Sequence, residues 1–387
     1  MRTGIVQQPL HGGQCPPWLF EKMKQLGAAI IQVIVYEYGT QEVLRRLANP
    51  LWFQTLGCVL GFDWHSSGLT TVVCGALKEG VRNKQGELGL FLAGGKGKTS
   101  RRTPLEISEA GEKYGLSNDL ISLQRTSRMV AKVDSAAVQD GYQLYHHFFI
   151  FDRQGNWAVV QQGMNEINRY ARRYHWLSQG LQSFVEDPHQ AIAGLPTDGV
   201  LNLVSAQNQA TRAASVELCY EKPEGIVKIL NRIADKTKEL THSEQICLWD
   251  ETPYPRLSLP SFHPIPRVNY LNKILYKLYE KPPGSYEGIL EATGVGAGTL
   301  RALAMVAEVT HGAKTSYEDP VRYTFAHGGK DGFPFPVQRG DLEQSIQVLQ
   351  EALERAKIGN TDKLTALRRL AHINKCKKQE LKYFVRS

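Results

Sequence analysis

The chain has 387 residues, 42% hydrophobic and 22% charged, with 46 Lys and Arg against 38 Asp and Glu for a formal net charge of +8. That length predicts two or three domains with real cores, and the basic excess favours a polyanionic partner. The six cysteines, Cys15, Cys58, Cys74, Cys219, Cys247 and Cys376, form no CxxC pair, which excludes zinc-ribbon and disulfide-scaffold classes and fits a reducing cytoplasm.

The opening residues carry no apolar signal core, and no run approaches the roughly 20 apolar residues of a membrane span, so a soluble cytoplasmic protein without membrane contact is expected. Ala28–Tyr36 reads as a buried strand and Gln41–Ala48 as a helix. Leu69–Leu77 and Leu88–Leu92 are further strand candidates. Leu144–Phe151 pairs with Trp157–Gln162 across the Asp152–Asn156 turn. Asn165–Leu177 reads as a helix, and Glu186–Ser215 as a polar linker or excursion. Glu224–Glu239 and Val268–Tyr279 are amphipathic, separated by the Pro-rich run Thr252–Pro266, and Leu342–Ala356 is another helix. From Asp362 to Ser387 eight basic residues face two acidic ones, a solvated face or a polyanion contact. The expected fold is α+β: a mixed α/β N-terminal domain over 1–185, a linker over 186–223, and a mainly helical C-terminal domain over 224–387.

Within that last part, Tyr286, Ile289 and Leu290 give a short helix an apolar face before Gly294 ends it. Val295 can plug the space between two helices, while Gly294, Gly296 and Gly298 keep side chains away from the backbone. Gly298 and Thr299 then open a second helix whose unpaired amides and positive dipole end suit a phosphate oxygen, with Arg301 one turn further on. Residues 286–304 thus resemble the helix-hairpin-helix of DNA repair and recombination proteins, which tracks backbone without reading sequence. An ordinary Gly-rich link between two helices is the plain alternative.

Three further clusters carry chemistry. Around the 144–162 hairpin, Asp134, Asp140 and His146 make a hard ligand set for Mg²⁺ or Mn²⁺ that would activate water at a phosphodiester, with Gln162 turned inward beside them. Strand alternation places Tyr145 and His147 on one face and Leu144, His146 and Phe148 on the other, so only one histidine serves such a site. In the loop Gly61–Gly68, Asp63 is a second ligand candidate and His65 a general base. The Gly94–Pro104 segment lacks the first glycine of a P-loop. It reads instead as a basic loop holding backbone phosphate through Lys96, Lys98, Arg101 and Arg102. Arg172 and Arg173, interleaved with aromatic residues on the expected 165–177 helix, offer charge and stacking.

The segments Thr3–Val6, Asp63–Ser67, Gln139–Tyr142, Val160–Met164, Tyr170–Trp176 and His327–Gly332 together resemble the family called domain of unknown function 763. The resemblance covers nearly the whole chain and implies an intracellular prokaryotic protein linked to DNA. The reading that follows is a DNA-binding protein with metal-dependent nuclease activity. A non-catalytic DNA-binding or repair-scaffold protein is the alternative, and a glycosylase using Asp319 a weaker one. RNA as partner and a homodimer both stay open.

Overall fold

The computed structural model describes residues 15–62, 66–116, 120–242, 264, 268–321 and 339–370. The N-terminal helices are α1 (Pro17–Tyr38), α2 (Thr40–Leu47), α3 (Pro50–Val59), α4 (Gly68–Val81) and the short α5 (Gln85–Leu88). Strand β1 (Leu90–Lys96) is followed by α6 (Lys98–Arg101), α7 (Thr103–Tyr114) and α8 (Leu120–Lys132), which runs into a π-helical turn over Val133–Ala137. Next come β2 (Val138–Gln139), β3 (Gln143–Asp152), β4 (Trp157–Asn165), β5 (Tyr170–Leu177), β6 (Ala191–Ala193) and β7 (Leu201–Asn202). The remaining helices are α9 (Gln209–Leu218), α10 (Pro223–His242), α11 (Val268–Glu280), α12 (Tyr286–Glu291), α13 (Ala297–His311) and α14 (Arg339–Arg355), with helical turns over 360–370.

An antiparallel sheet in the order β1-β3-β4-β5-β6 lies at the centre, and β2 pairs with β7 beside it. Alternation sends Leu90, Leu92, Phe148, Ile150, Ala158 and Val160 into one core with α1–α4 and α14. Phe91, Ala93, Phe149, Phe151, Trp157, Val159, Tyr174 and Trp176 face a second core with α7–α13. The fold is therefore a sheet between two helical layers, and each fully buried Phe or Leu contributes roughly 1.5–3 kcal/mol of transfer free energy.

Three expected elements are corrected. Ala28–Tyr36 belongs to α1: its buried set of Met23, Leu26, Ile30, Ile31 and Ile34 has helical spacing, which becomes legible only with the residues before Ala28 included. Leu69–Leu77 lies in α4, whose Gly80 rests on the Lys24 carbonyl (2.4 Å from a Cβ placed there) while Leu77 fills the space at Gly27. Glycines here let two helices cross closely. Asn165–Leu177 is a turn followed by β5. The Asn165 side chain accepts from the Ile167 and Asn168 amides, Arg169 adopts a positive φ, and the one-turn spacing of Tyr170 and Tyr174 is two strand repeats.

The Asp152–Asn156 turn forms as expected, with Asp152 Oδ1 accepting from the Gln154 and Asn156 amides. Residues 186–223 do not act as a linker: they supply β6, β7 and α9, and Arg212 donates to the Leu203 and Ser205 carbonyls. Nor does the C-terminal part pack as one block, because α9–α13 cover one face of the sheet and α14 returns to the other.

Candidate functional site

Two successive rows of polar side chains cross the sheet near the start of β3. One is Gly95–His147–Gln161–Tyr174, directed at the α7–α13 layer, and the other is Lys96–His146–Gln162–Arg173, directed at α1–α4. They differ in how completely their polar atoms are paired.

In the first row, Ser127 Oγ lies 2.9 Å from His147 Nε2, and His147 Nδ1 lies 2.7 Å from Gln161 Oε1. Gln161 Nε2 donates to Asp134 Oδ2 at 2.5 Å, which assigns its oxygen as acceptor and places the His147 proton on Nδ1. Asp134 also accepts from Trp176 Nε1 at 2.9 Å and meets His189 Nε2 at 2.5 Å. Asp140, on the same side, accepts from Arg172, the Tyr174 hydroxyl and the Tyr142 amide. Arg172 reaches on to Asp319, whose two oxygens also accept from the Thr197 and Val321 amides. Burial raises the Asp140 carboxyl while the adjacent Arg172 opposes that shift. Apart from Arg172 Nε the side-chain atoms named here are paired, and buried networks of this kind fix a core.

The second row is incomplete. Gln162 Nε2 donates to the Ser67 carbonyl at 2.9 Å and to the Tyr145 hydroxyl at 2.5 Å, yet its Oε1 has no partner. Both ring nitrogens of His146 are buried and equally unpartnered, and burial pushes its pKa down to about 3. Arg173 is fully buried. It donates to His175 Nε2 (2.8 Å), Thr70 Oγ1 (3.3 Å), Gln54 Oε1 (3.0 Å) and the Pro50 carbonyl (3.5 Å), and lies over the Phe53 ring. Every one of these acceptors is neutral. Desolvation pulls Arg173 down to about 9, which leaves it charged at neutral pH. His175 donates from Nδ1 to the Leu47 carbonyl, and burial keeps it neutral.

A β-bulge between Leu144 and His146 corrects the alternation expected for β3. It carries Tyr145 round to the Gln162 side and Leu144 to the opposite core. His146 and His147 do face opposite layers.

The expected metal ligands do not converge. Asp134 and Asp140 lie on one side of the sheet, engaged by Gln161, Trp176 and His189 and by Arg172 and Tyr174, whereas His146 lies on the other. Among the described residues no group of three His, Cys, Asp or Glu could hold a metal ion. These residues do not fit Mg²⁺ or Mn²⁺. Asp63 and His65 lie outside the described residues, as do Thr3–Val6, His327–Gly332 and the basic stretch beyond residue 370. Arg172 and Arg173 are buried on β5, not displayed on a helix, so neither is a surface phosphate contact. Lys96 at the end of β1, Lys98 and Arg101 in α6 and Arg102 capping it are exposed, and the segment is held by the Gly97 amide donating to the Tyr145 carbonyl at 2.7 Å.

The short helix, glycine turn and second helix expected over residues 286–304 are present. Ser285 caps α12, accepting from the Gly288 amide; Tyr286, Ile289 and Leu290 are buried; Gly294 has φ +93°; and Val295 is the buried plug before α13. Lys132 donates to the Val295 carbonyl and Gln139 to the Ala297 carbonyl at 2.8 Å, so the hairpin is docked by its carbonyls. The expected contacts divide. Gly294, Gly296 and Gly298 keep backbone at the surface, whereas Thr299 is buried and Arg301 turns inward to Gln139 Oε1 at 2.7 Å.

Sequence reasoning misses Lys132, Gln139, His189 and the Arg173 cage. A sequence signal does exist for the rows themselves: a five-residue turn with Phe151 opposite Trp157 forces His147 opposite Gln161 and His146 opposite Gln162.

The class defined is an α+β protein with a central five-stranded antiparallel sheet and a helical C-terminal part. Within it, the chain belongs to the family described as protein of unknown function, DUF763, which matches residues 4–337. No curated protein and no solved structure matches the chain. No helix among the described residues is long and apolar enough to cross a membrane.

Proposed function

We propose that this protein binds the phosphate backbone of DNA through residues 286–304, with the exposed Lys96–Arg102 segment as a second source of positive charge. The observation that carries this reading is the start of α13. Its N-cap, Gly296, has no side chain to cap it, and the first paired amide is that of Leu300, donating to the Gly296 carbonyl. Among the described residues nothing accepts from the amides of Ala297, Gly298 and Thr299. Three unpaired N–H groups at the positive end of a 15-residue helix, behind a glycine turn, form an anion cradle.

Binding is favoured over cleavage at the expected carboxylates. A cation at Asp134 or Asp140 would have to displace hydrogen bonds that hold the core together. Asp319 as a glycosylase base fares no better, because Arg172 and two amides fill its four acceptor positions.

Gly296→Val tests the reading cleanly. The glycine has extended backbone at φ −146°, and a Cβ there meets nothing within 4 Å, so the variant folds while its branched side chain covers the amides. In fluorescence-anisotropy titrations the wild type is expected to bind duplex or single-stranded DNA with affinity that falls steeply with salt. The variant is expected to lose about tenfold, about 1.4 kcal/mol, whatever the sequence. Wild-type affinity in the variant would remove the hairpin from the interface.

A further inference from the structure

The row Lys96–His146–Gln162–Arg173 combines two features: a buried cation without a carboxylate among the described residues, and three orphaned polar atoms on adjacent strands, where the other buried orphans among the described residues, such as Trp52 Nε1 and Arg172 Nε, are single atoms. The first is charge. Arg172 and Arg173 are sequence neighbours, both fully buried, and make a controlled comparison: Arg172 is neutralised by Asp140 and Asp319, whereas no carboxylate pairs with Arg173 among the described residues. Lys96, at the other end of the row, adds a second positive charge with its ammonium 6.0 Å from the Tyr145 ring centroid. The second feature is the orphaned atoms between these cations, namely both His146 nitrogens and Gln162 Oε1. An unmet buried polar atom costs about 1–3 kcal/mol. Three such atoms on adjacent strands, with the exposed Lys96 at one end and the buried Arg173, unpaired with any carboxylate among the described residues, at the other, describe a site built for something else.

The donor and acceptor pattern narrows what that is. The occupant must be anionic. It must accept from a His146 N–H and from Tyr145, whose hydroxyl accepts from Gln162 Nε2 and keeps its own proton to donate. It must also donate, because Gln162 Oε1 can only accept. A phosphodiester has oxygens but no proton. The monoanion of a phosphate monoester has both; with a second pKa of about 6 it is the minority form at neutral pH, so binding through Gln162 Oε1 strengthens as pH falls towards that value. We propose that this row, which runs from the exposed Lys96 past half-buried Tyr145 to the buried Gln162 and Arg173 under Ser67 and Thr70 at the start of α4, binds a phosphomonoester group. With strands about 4.8 Å apart, the row spans about 14 Å, so Lys96 meets the group at the rim and Arg173 supplies field from beneath. That the group is the terminal phosphate of a nucleic acid rests on the hairpin reading. The phosphate chemistry does not.

The test uses the full chain and oligodeoxynucleotides that differ only in carrying a terminal phosphate, 5′ or 3′, or a hydroxyl. The wild type is expected to prefer a phosphorylated end by about tenfold, the scale of one or two charge-assisted hydrogen bonds. Lys96→Ala, an exposed change that leaves the core intact, and His146→Leu, which removes no hydrogen bond, are each expected to abolish that preference. His146→Leu should also melt no lower than wild type, whereas a structural histidine would lose stability. Gly296→Val is expected to weaken both oligonucleotides alike and keep their ratio, so failure of the hairpin and failure of this site are read separately. Competition by inorganic phosphate or a nucleoside monophosphate at concentrations matching the oligonucleotide would support the site and assign it to free phosphate compounds. Equal binding of both ends by wild type, a preference that survives in both variants, or a destabilised His146→Leu would overturn the proposal.

Discussion

Acid should unfold this protein through three histidines that the sheet holds neutral. Burial pushes His146 down to about 3 and His147 to about 4 from an ordinary value of 6.5, and His175 well below it. The unfolded chain takes up these protons near pH 6.5 and the folded protein does not, so their contribution is complete above that pH and is lost as pH falls towards the folded values. His146 and His147 each lose about 1.4 kcal/mol per pH unit in that window, or about 2 kcal/mol between pH 7.5 and pH 5, and His175 acts in the same direction. His146 and His147 together lose about 4 kcal/mol, a large part of the 5–15 kcal/mol typical of a whole domain. Asp140 works in the opposite sense, since its raised carboxyl takes up a proton in the folded state first, and it offsets part of the loss. Urea titrations at the two pH values measure the difference directly. His146→Leu should shrink it by about 2 kcal/mol. Equal midpoints at pH 7.5 and pH 5 in the wild type would show that these imidazoles are not held neutral, and the argument would fail.

Further outcomes follow from the same geometry. A Cβ at Gly94 would sit 2.2 Å from the His147 carbonyl oxygen at φ +88°, whereas Gly97 at φ +61° meets nothing. Gly94→Ala should therefore cost several times the roughly 1–2 kcal/mol of Gly97→Ala, and equal melting temperatures would contradict the packing of β1 on β3. Asp319→Ala removes one of two carboxylates from buried Arg172 and the acceptor of two amides; a loss of about 3 kcal/mol is expected by chemical denaturation, and a neutral result would sink the structural role. Replacing Lys98, Arg101 and Arg102 with Gln should flatten the dependence of log affinity on log salt by up to about 0.9 for each duplex phosphate that is no longer neutralised, and an unchanged slope would place the segment outside the interface.

How much of this is legible in the sequence depends on the range of the forces involved. The 286–304 hairpin is readable because its signals are local: a capped apolar turn, a left-handed glycine and a plug residue. The β3–β4 pair is readable because a tight turn sets its register. The two apolar runs in α1 and α4 mislead because period cannot be judged in nine residues without their flanks, and the choice of helix depends on glycine-mediated crossing with another element. Tyr170–Leu177 misleads because a four-residue spacing of tyrosines suits either period. The candidate site is half visible: His146, Gln162 and Lys96 stand out by residue type, but their grouping with Arg173 needs the register of four strands and a bulge at Tyr145. Asp134 meets His189, and the Arg172 that pairs with Asp140 is shared with Asp319, distant positions that no local pattern connects.

The return of α14 to the first helical layer has a consequence for how the chain is made. Glu351 receives the Tyr38 hydroxyl at 2.7 Å, Arg355 pairs with Glu37, Asp362 meets Lys22 at 2.7 Å, and Arg369 donates to the Val59 carbonyl at 3.3 Å. Val348, Leu349, Ala352 and Leu353 close an apolar face of α1 and α3 that is synthesised some three hundred residues earlier. At a ribosomal rate of about 5–20 residues per second, that face stays uncovered for roughly 15–60 seconds during translation. The layer under which His146 and Arg173 lie is thus among the last to be sealed, and a ribosome stalled before residue 339 would leave a nascent chain with that apolar face open to chaperones or to aggregation.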